Sequence, residues 1–434
     1  MVTAAPRRTR VAPNDAVWLQ DSPTNLMVIN AVYTTDRIGL DAVRDLFLRK
    51  VVLADGGRTY PRFTWRVVKV RGHYYWEPDP QFDVERHIVV APEGVGTTAA
   101  LQDYVGAVAD HPLPPDRPLW QIQHVEDFED GGSAFIIRIH HCMADGIAMV
   151  PILFLLMDER ERLEAAGRLP PRTLGTRLST FQTLVTAPLM GPLILARRLA
   201  WRADRHALHG ARISGRKRVA WTVPLDLAVI KKVKDELGAT VNDVLMATVS
   251  GGLARYLVRV EAPAVPRIRI SMPVNVRRPD EPLLMENKFA AVLLDLPIGA
   301  HTALERIRTI KARMDHLKAS VEPLVLYGVV NILLSTLPHG VSRTLIDFLA
   351  NKCTAVVTNV PGPPGEVFLA GRRVRSLMFW VPQRAGIGVG VSILTFGGKL
   401  QIGVIADREL VADPSVVTRA FEEEFEALRV EHGL

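Results

Sequence analysis

The stretch that most limits the fold is Ala134-Phe135-Ile136-Ile137-Arg138-Ile139, followed at once by His140-His141-Cys142-Met143-Ala144-Asp145-Gly146. The first six residues are mostly apolar and β-branched, the pattern of a buried strand. Asp145-Gly146 is a turn signal, and Ile147 to Met157 reads as an apolar helix leaving it. The chain must therefore build a sheet in which one strand end presents an imidazole. A carboxylate four residues on can fold back onto it. A general base needs that arrangement, with one ring nitrogen facing the substrate and the other held by an orienting partner.

Three chemistries compete for these residues. A plain structural pair of histidines beside a turn aspartate is the first. A metal site is the second, but neighbours on an extended backbone point opposite ways. That leaves one histidine and Asp145, with no other His/Cys cluster to complete a shell. The third is a metal-free base, with His141 catalytic, Asp145 its support and His140 secondary because it faces away.

Composition removes several function classes. The two cysteines, Cys142 and Cys353, give no disulfide framework, suit a reducing compartment and read as buried small hydrophobes. The net charge of +7, from 53 basic and 46 acidic residues, is too small and too scattered to argue for nucleic acid. Met1 to Arg10 is basic and lacks the apolar core of a secretory signal. The longest apolar runs, Leu184–Ala196 and Leu324–Leu337, fall short of the ~20 residues a membrane span needs. An apolar stretch followed by Arg197, Arg198, Arg202, Arg205, Arg212, Arg216, Lys217 and Arg218 suits either an anionic membrane surface or a solvated linker.

Along the chain, residues 1–14 read as disordered. Strands are expected at Leu26–Thr35, Thr64–Trp76, Trp120–Val125, Val219–Val223, Ile268–Val274, Val292–Leu296 and Thr354–Asn359, with a hairpin of Gly386–Phe396 and Lys399–Ala406 around Gly397-Gly398. Amphipathic patterns place helices at Leu40–Val52, Thr98–Ala109 and Leu227–Leu237, and another after Asp413-Pro414. Thr240 to Asp243 has the form of a capping box, which gives Asp243 a structural reading as a helix cap and leaves Asn242 freer to point at the site. Thr302 and Glu305 repeat the form. Gly167 to Arg172 breaks the chain. We divide it into residues 1–165, a crossover linker 166–215, and residues 216–434.

The His-His-x-x-x-Asp-Gly signature does not stand alone. Pro118-Leu119-Trp120, Val241-Asn242-Asp243-Val244-Leu245, Pro273-Val274-Asn275-Val276-Arg277, Glu286-Asn287-Lys288-Phe289 and Thr358-Asn359-Val360-Pro361-Gly362-Pro363 accompany it in order. With these elements the chain resembles the bacterial wax ester synthase/diacylglycerol acyltransferases, within the superfamily that shares the chloramphenicol acetyltransferase fold. The likeness spans nearly the whole chain.

The resemblance implies an α/β architecture of two such domains, each a mixed sheet with flanking helices, and a tunnel between them. It implies an O-acyltransferase using acyl-CoA as co-substrate, with diacylglycerol or a long-chain alcohol as acceptor and no cofactor. His141 is then the base. Asp145 supports the histidine loop, with Arg277 as its candidate partner. Gly146 keeps a side chain from crowding the turn. Thr358 and Asn359 are candidates for oxyanion donors, with Asn242 nearby. Trp120 is a core aromatic or an acyl-channel wall. The expected location is cytoplasmic, at the inner membrane face or on lipid droplets. Two other readings remain: a condensation-type or polyketide-associated enzyme fed by a carrier protein, and a silent lipid-surface protein.

Overall fold

The computed structural model describes residues 8–161, 163, 180–278, 281–300 and 302–433. In chain order the first part holds β1 (Thr9–Arg10), α1 (Pro13–Ala16), β2 (Val28–Asp36), α2 (Leu40–Phe47), β3 (Trp65–Val70), β4 (His73–Pro78), β5 (Ile88–Val90), α3 (Thr98–Ala109), β6 (Trp120–Phe128), β7 (Gly132–His140) and α4 (Gly146–Leu156). The second holds α5 (Thr180–Ala200), β8 (Lys217–Trp221), β9 (Leu225–Asp226), α6 (Leu227–Glu236), α7 (Val241–Arg259), β10 (Ile268–Asn275), β11 (Phe289–Leu296), α8 (Ala303–Lys318), α9 (Glu322–Thr336), α10 (His339–Ala350), β12 (Ala355–Pro361), β13 (Phe368–Leu369), β14 (Arg372–Trp380), β15 (Val389–Phe396), β16 (Lys399–Asp407) and α11 (Ser415–Glu431).

Two large mixed sheets result. One has the order β13-β14-β2-β7-β6-β5, the other β11-β10-β12-β15-β16-β8 with β9 beside β16. In the first sheet β7 pairs antiparallel with β2, so that His140 lies opposite Val28. Alternation along these strands sends Val32, Ala134 and Ile136 into a core with Leu101 and Val105 of α3. The opposite face carries Ile29, Ala31, Tyr33, Phe135, Ile137 and Ile139. These line an apolar cavity of about 190 Å³ under α4. The second sheet packs its face on α6, α7, α8 and α11 in one large core.

A cut at residue 216 does not separate the sheets. Arg372–Trp380 crosses back to pair with β2, Trp380 opposite Asn30, and so belongs to the first sheet. Trp380 and Met378 then fill the core under α3. Conversely α3 lies against β8 of the second sheet, and a Cβ on Gly106 would stand 2.9 Å from the Lys217 carbonyl. Glycine is what allows that approach. Gly167 to Arg172, where we expected the boundary, lies outside the described residues.

Other local expectations shift. Thr64–Trp76 is two strands turning at Arg71-Gly72, both at positive φ. Leu40–Val52 is α2 continued by a π-helical turn, Leu48–Val52. Thr9 and Arg10, expected to be disordered, pair with Trp76 and Tyr75. No single helix among the described residues is long and apolar enough to cross a membrane.

Candidate active site

Strand β7 ends at His140, and the next residues turn under α1. The His141 amide donates to the Met27 carbonyl at 2.7 Å, which ties the loop to the start of β2. His140 and His141 part company here. The His140 Nδ1 accepts from the Cys142 amide at 3.2 Å, so its proton sits on Nε2. That nitrogen faces the Asp21 carboxylate at 3.2 Å. His140 is thereby bound into the loop's own structure.

The His141 ring is buried and stacks on Trp18, with centroids 3.8 Å apart and planes 17° from parallel. Phe289 flanks both rings at 5.9 Å. Burial lowers the imidazole's pKa to about 4, against the opposing pull of Asp145. The ring is therefore neutral at physiological pH. Its Nδ1 is buried without a well-formed hydrogen bond, and the polar groups acting on the ring include its own carbonyl and Asn287. Cys142 is buried beside it, and burial pushes its thiol well above the usual range. That leaves no thiolate for a nucleophile.

Asp145 does not fold back onto the imidazole, as the spacing first suggested. Its Oδ1 accepts from the Ala148 amide at 2.9 Å, capping α4. Its Oδ2 accepts from the Lys288 amide at 2.9 Å and faces Arg277 Nη1 at 2.9 Å. Arg277 is 1% exposed and also donates to the Glu286 carbonyl at 2.7 Å. The carboxylate thus joins the first half of the chain to the β10–β11 connection of the second.

A second buried carboxylate escaped the sequence reading. Asp15 Oδ1 accepts from both the amide and the side chain of Asn287, at 2.9 and 2.8 Å, and Oδ2 accepts from Arg62 at 2.8 Å. Burial raises the Asp15 pKa, against Arg62 and Asn287. Asn287 Nδ2 also donates to the His141 carbonyl at 2.8 Å, and Arg62 to the Met143 carbonyl at 2.7 Å. Asn287 stood in the Glu-Asn-Lys-Phe motif. Asp15, Arg62 and Trp18 carried no local signal.

The remaining candidates divide. Asp243 completes the capping box: its Oδ2 accepts from the Thr240 amide at 2.8 Å, and its amide donates to Thr240 Oγ1 at 3.2 Å. Asn359 Nδ2 donates to Asn242 Oδ1 at 3.2 Å. Thr358 is buried on β12. Gly146 is not needed for steric reasons. A Cβ there would meet only Val360 Cγ2 at 3.7 Å, ordinary contact, and the glycine instead lines the apolar cavity. Trp120 both packs in the core and walls that cavity, with its indole N–H on the Phe63 carbonyl at 2.9 Å. Among the described residues no three His, Cys, Asp or Glu side chains gather as a metal site requires.

Residues 12–245 match the model of the wax ester synthase/diacylglycerol acyltransferase catalytic domain, and residues 285–429 that of the WS/DGAT C-terminal domain. The chain belongs to this family. It is an acyltransferase with the family's two-domain fold. Over 370 residues it is 27% identical to a protein of Mycobacterium tuberculosis described as a probable diacylglycerol O-acyltransferase, with 80% of each chain covered. Among solved structures it is similar to the wax ester synthase/diacylglycerol acyltransferase of Marinobacter aquaeolei VT8. That likeness has TM-score 0.72 at 20% identity and covers 98% of this chain and 100% of the other. The first condensation domain of the CDA synthetase shares the fold at TM-score 0.62 and 14% identity, over 97% and 95% of the two chains.

Proposed function

We propose that the protein transfers a long acyl group from coenzyme A to the hydroxyl of diacylglycerol or a long-chain alcohol, with His141 as general base. One observation carries the reading. An imidazole kept neutral down to about pH 4 follows directly on β7, whose Phe135, Ile137 and Ile139 line an apolar cavity that Gly146 of the same motif also lines. With the proton on Nδ1, beside the residue's own carbonyl, Nε2 offers its lone pair to the acceptor. The hydroxyl gives its proton to Nε2 as its oxygen attacks the thioester carbonyl carbon. The C–S bond then breaks, and the imidazolium returns the proton to the departing thiolate. A positioned base contributes roughly 10²–10⁴-fold, and holding the two substrates in register supplies much of the rest.

Thr358 is our choice for the developing oxyanion. Alternation on β12 puts it on the same side as Val360, which borders Gly146, and sends Asn359 to the other side, toward Asn242. Asp145, Arg277 and His140 position the loop. The reaction asks for no cofactor beyond acyl-CoA. Diacylglycerol comes from the description of the relatives, and the alcohol from the family's name. Such acceptors are nearly insoluble in water, so the enzyme works at a lipid surface, the cytoplasmic membrane face or a lipid droplet. A carrier-fed condensation reaction is not favoured, because the condensation domains are alike in fold alone.

The test is release of free CoA thiol from palmitoyl-CoA, with diacylglycerol and with hexadecanol, alongside chromatography of the lipid product. We expect triacylglycerol, wax ester or both. No thiol release with either acceptor, or transfer only from a carrier-linked donor, overturns the proposal.

A further inference from the structure

Helix α9 is apolar almost throughout, yet only Pro323, Val325 and Leu334 of it are buried. An apolar helix in a globular core is covered on all sides. This one leaves Ile332 63% exposed, and α10, which follows it, leaves Val341 and Phe348 48% and 49% exposed. Val341 and Phe348 are seven residues apart, hence on one helix face.

Helix α9 packs on both α5 and α10. A Cβ on Gly191 would meet Val325 at 3.6 Å, and Arg198 of α5 pairs with Glu322 at the start of α9. Lys352, just past α10, donates to the Leu199 and Trp201 carbonyls at the end of α5 and lies 4.3 Å from the Phe348 ring. Leu199 and Phe348 therefore border one patch, and Leu189 and Leu193 of α5 are also exposed.

Charge follows the same division. Residues 181–203 and 323–346 contain no carboxylate at all. Arg197 at the end of α5, and Arg202 and Arg205 just beyond it, are exposed. Two of the basic residues we had counted toward such a surface are elsewhere. Arg198 is buried against Glu322 and Trp201, and Lys217 is buried against Asn25. An exposed apolar face rimmed by arginines, whose one neighbouring carboxylate on α10, Asp347, is paired with Arg343 and Arg384, is complementary to anionic headgroups over an acyl interior.

Helix α9 also packs on α1, which holds the catalytic loop from the other side. Tyr327 of α9 accepts from Asn14 of α1 at 2.9 Å. The next residue, Asp15, holds Asn287 and Arg62, and Trp18 covers the His141 ring. We propose that α9 and α10, with the exposed side of α5, seat the protein on an anionic phospholipid surface, so that a lipid acceptor passes from it toward His141. The proposal rests on the acyl-transfer reading, but its docking arm stands alone.

The experiment uses the full chain and vesicles of phosphatidylcholine with phosphatidylglycerol and diacylglycerol. One variant carries Ile332→Gln, Val341→Gln and Phe348→Gln. A second carries Arg197→Gln, Arg202→Gln and Arg205→Gln. A control carries Val258→Gln and Val260→Gln, exposed apolar residues at the end of α7. We expect flotation to fall at least about tenfold in the first. In the second it falls about tenfold to a hundredfold at low salt, and in the control not at all. CoA release with hexanol stays at the wild-type level in all variants, while release with vesicle-borne diacylglycerol falls with flotation. Wild-type flotation and diacylglycerol turnover in the first variant overturn the docking surface. Flotation as expected, but no CoA release by the wild type with any acceptor, overturns the acyl-transfer reading instead.

Discussion

Removing one partner of the Asp145–Arg277 pair should unseat the catalytic loop, and the structure sets the size of the effect. Both side chains are almost wholly buried, 6% and 1% exposed, and stand 2.9 Å apart. Breaking such a pair from one side costs about 3–5 kcal/mol, because the remaining charge is left buried and alone. Asp145→Asn belongs at the upper end. An amide has one acceptor oxygen, whereas Asp145 serves the Ala148 amide, the Lys288 amide and Arg277 with two. Arg277→Met keeps the volume and leaves the two amide bonds, so about 3 kcal/mol is expected. The double variant removes both charges and should recover about 2–3 kcal/mol of the summed loss. Urea unfolding of the four proteins gives the cycle, and hydrogen exchange at the Ala148 and Lys288 amides places the damage. Single variants within about 0.5 kcal/mol of wild type, or strictly additive losses, refute the reasoning.

His140→Ala should keep measurable acyl transfer while costing about 1–3 kcal/mol, since it leaves Asp21 and the Cys142 amide without their partner; a loss of turnover as complete as at His141, with native circular dichroism, contradicts the separation of roles. Ala31 sits in the cavity wall between Ile29 and Tyr33, so Ala31→Phe should shift the preference toward shorter chains in competition assays; an unchanged profile contradicts the assignment of the cavity to the acyl or alkyl chain. The His141 pKa, about 4 in the fold against 6.5 unfolded, means that the unfolded chain takes up the proton first as pH falls. Wild type should therefore lose about 3 kcal/mol relative to His141→Gln between pH 6.5 and 4, and none above that window; parallel stability curves contradict it.

What the sequence made legible were features written in neighbouring residues. The β-branched run before His140 gave strand β7, Thr98–Ala109 is the helix its pattern predicts, and Thr240 with Asp243 forms the expected box. The partners of the site were harder, because they come from distant segments. Asp15 and Asn287 are 272 residues apart, and nothing local marks an aspartate in a four-residue helix as a buried ligand of a distant amide. Trp18 over His141 has the same cause. Strand β14 is not among the expected strands, and a strand's period would in any case tell which face is buried but not which sheet it joins. Helix α9 reads as core by composition, and only the packing leaves it exposed.

The most direct test of the central claim is the pH dependence of kcat/KM for CoA release, measured for wild type and for His141→Gln. The imidazole is held neutral by burial to about pH 4. The wild-type rate should therefore stay level through pH 6.5 and fall only as pH approaches about 4, and His141→Gln should lose about 10²–10⁴-fold while unfolding as a native protein does. A glutamine variant that turns over like wild type contradicts His141 as the base, and an acid limb at the ordinary histidine pKa contradicts the burial that holds its ring neutral.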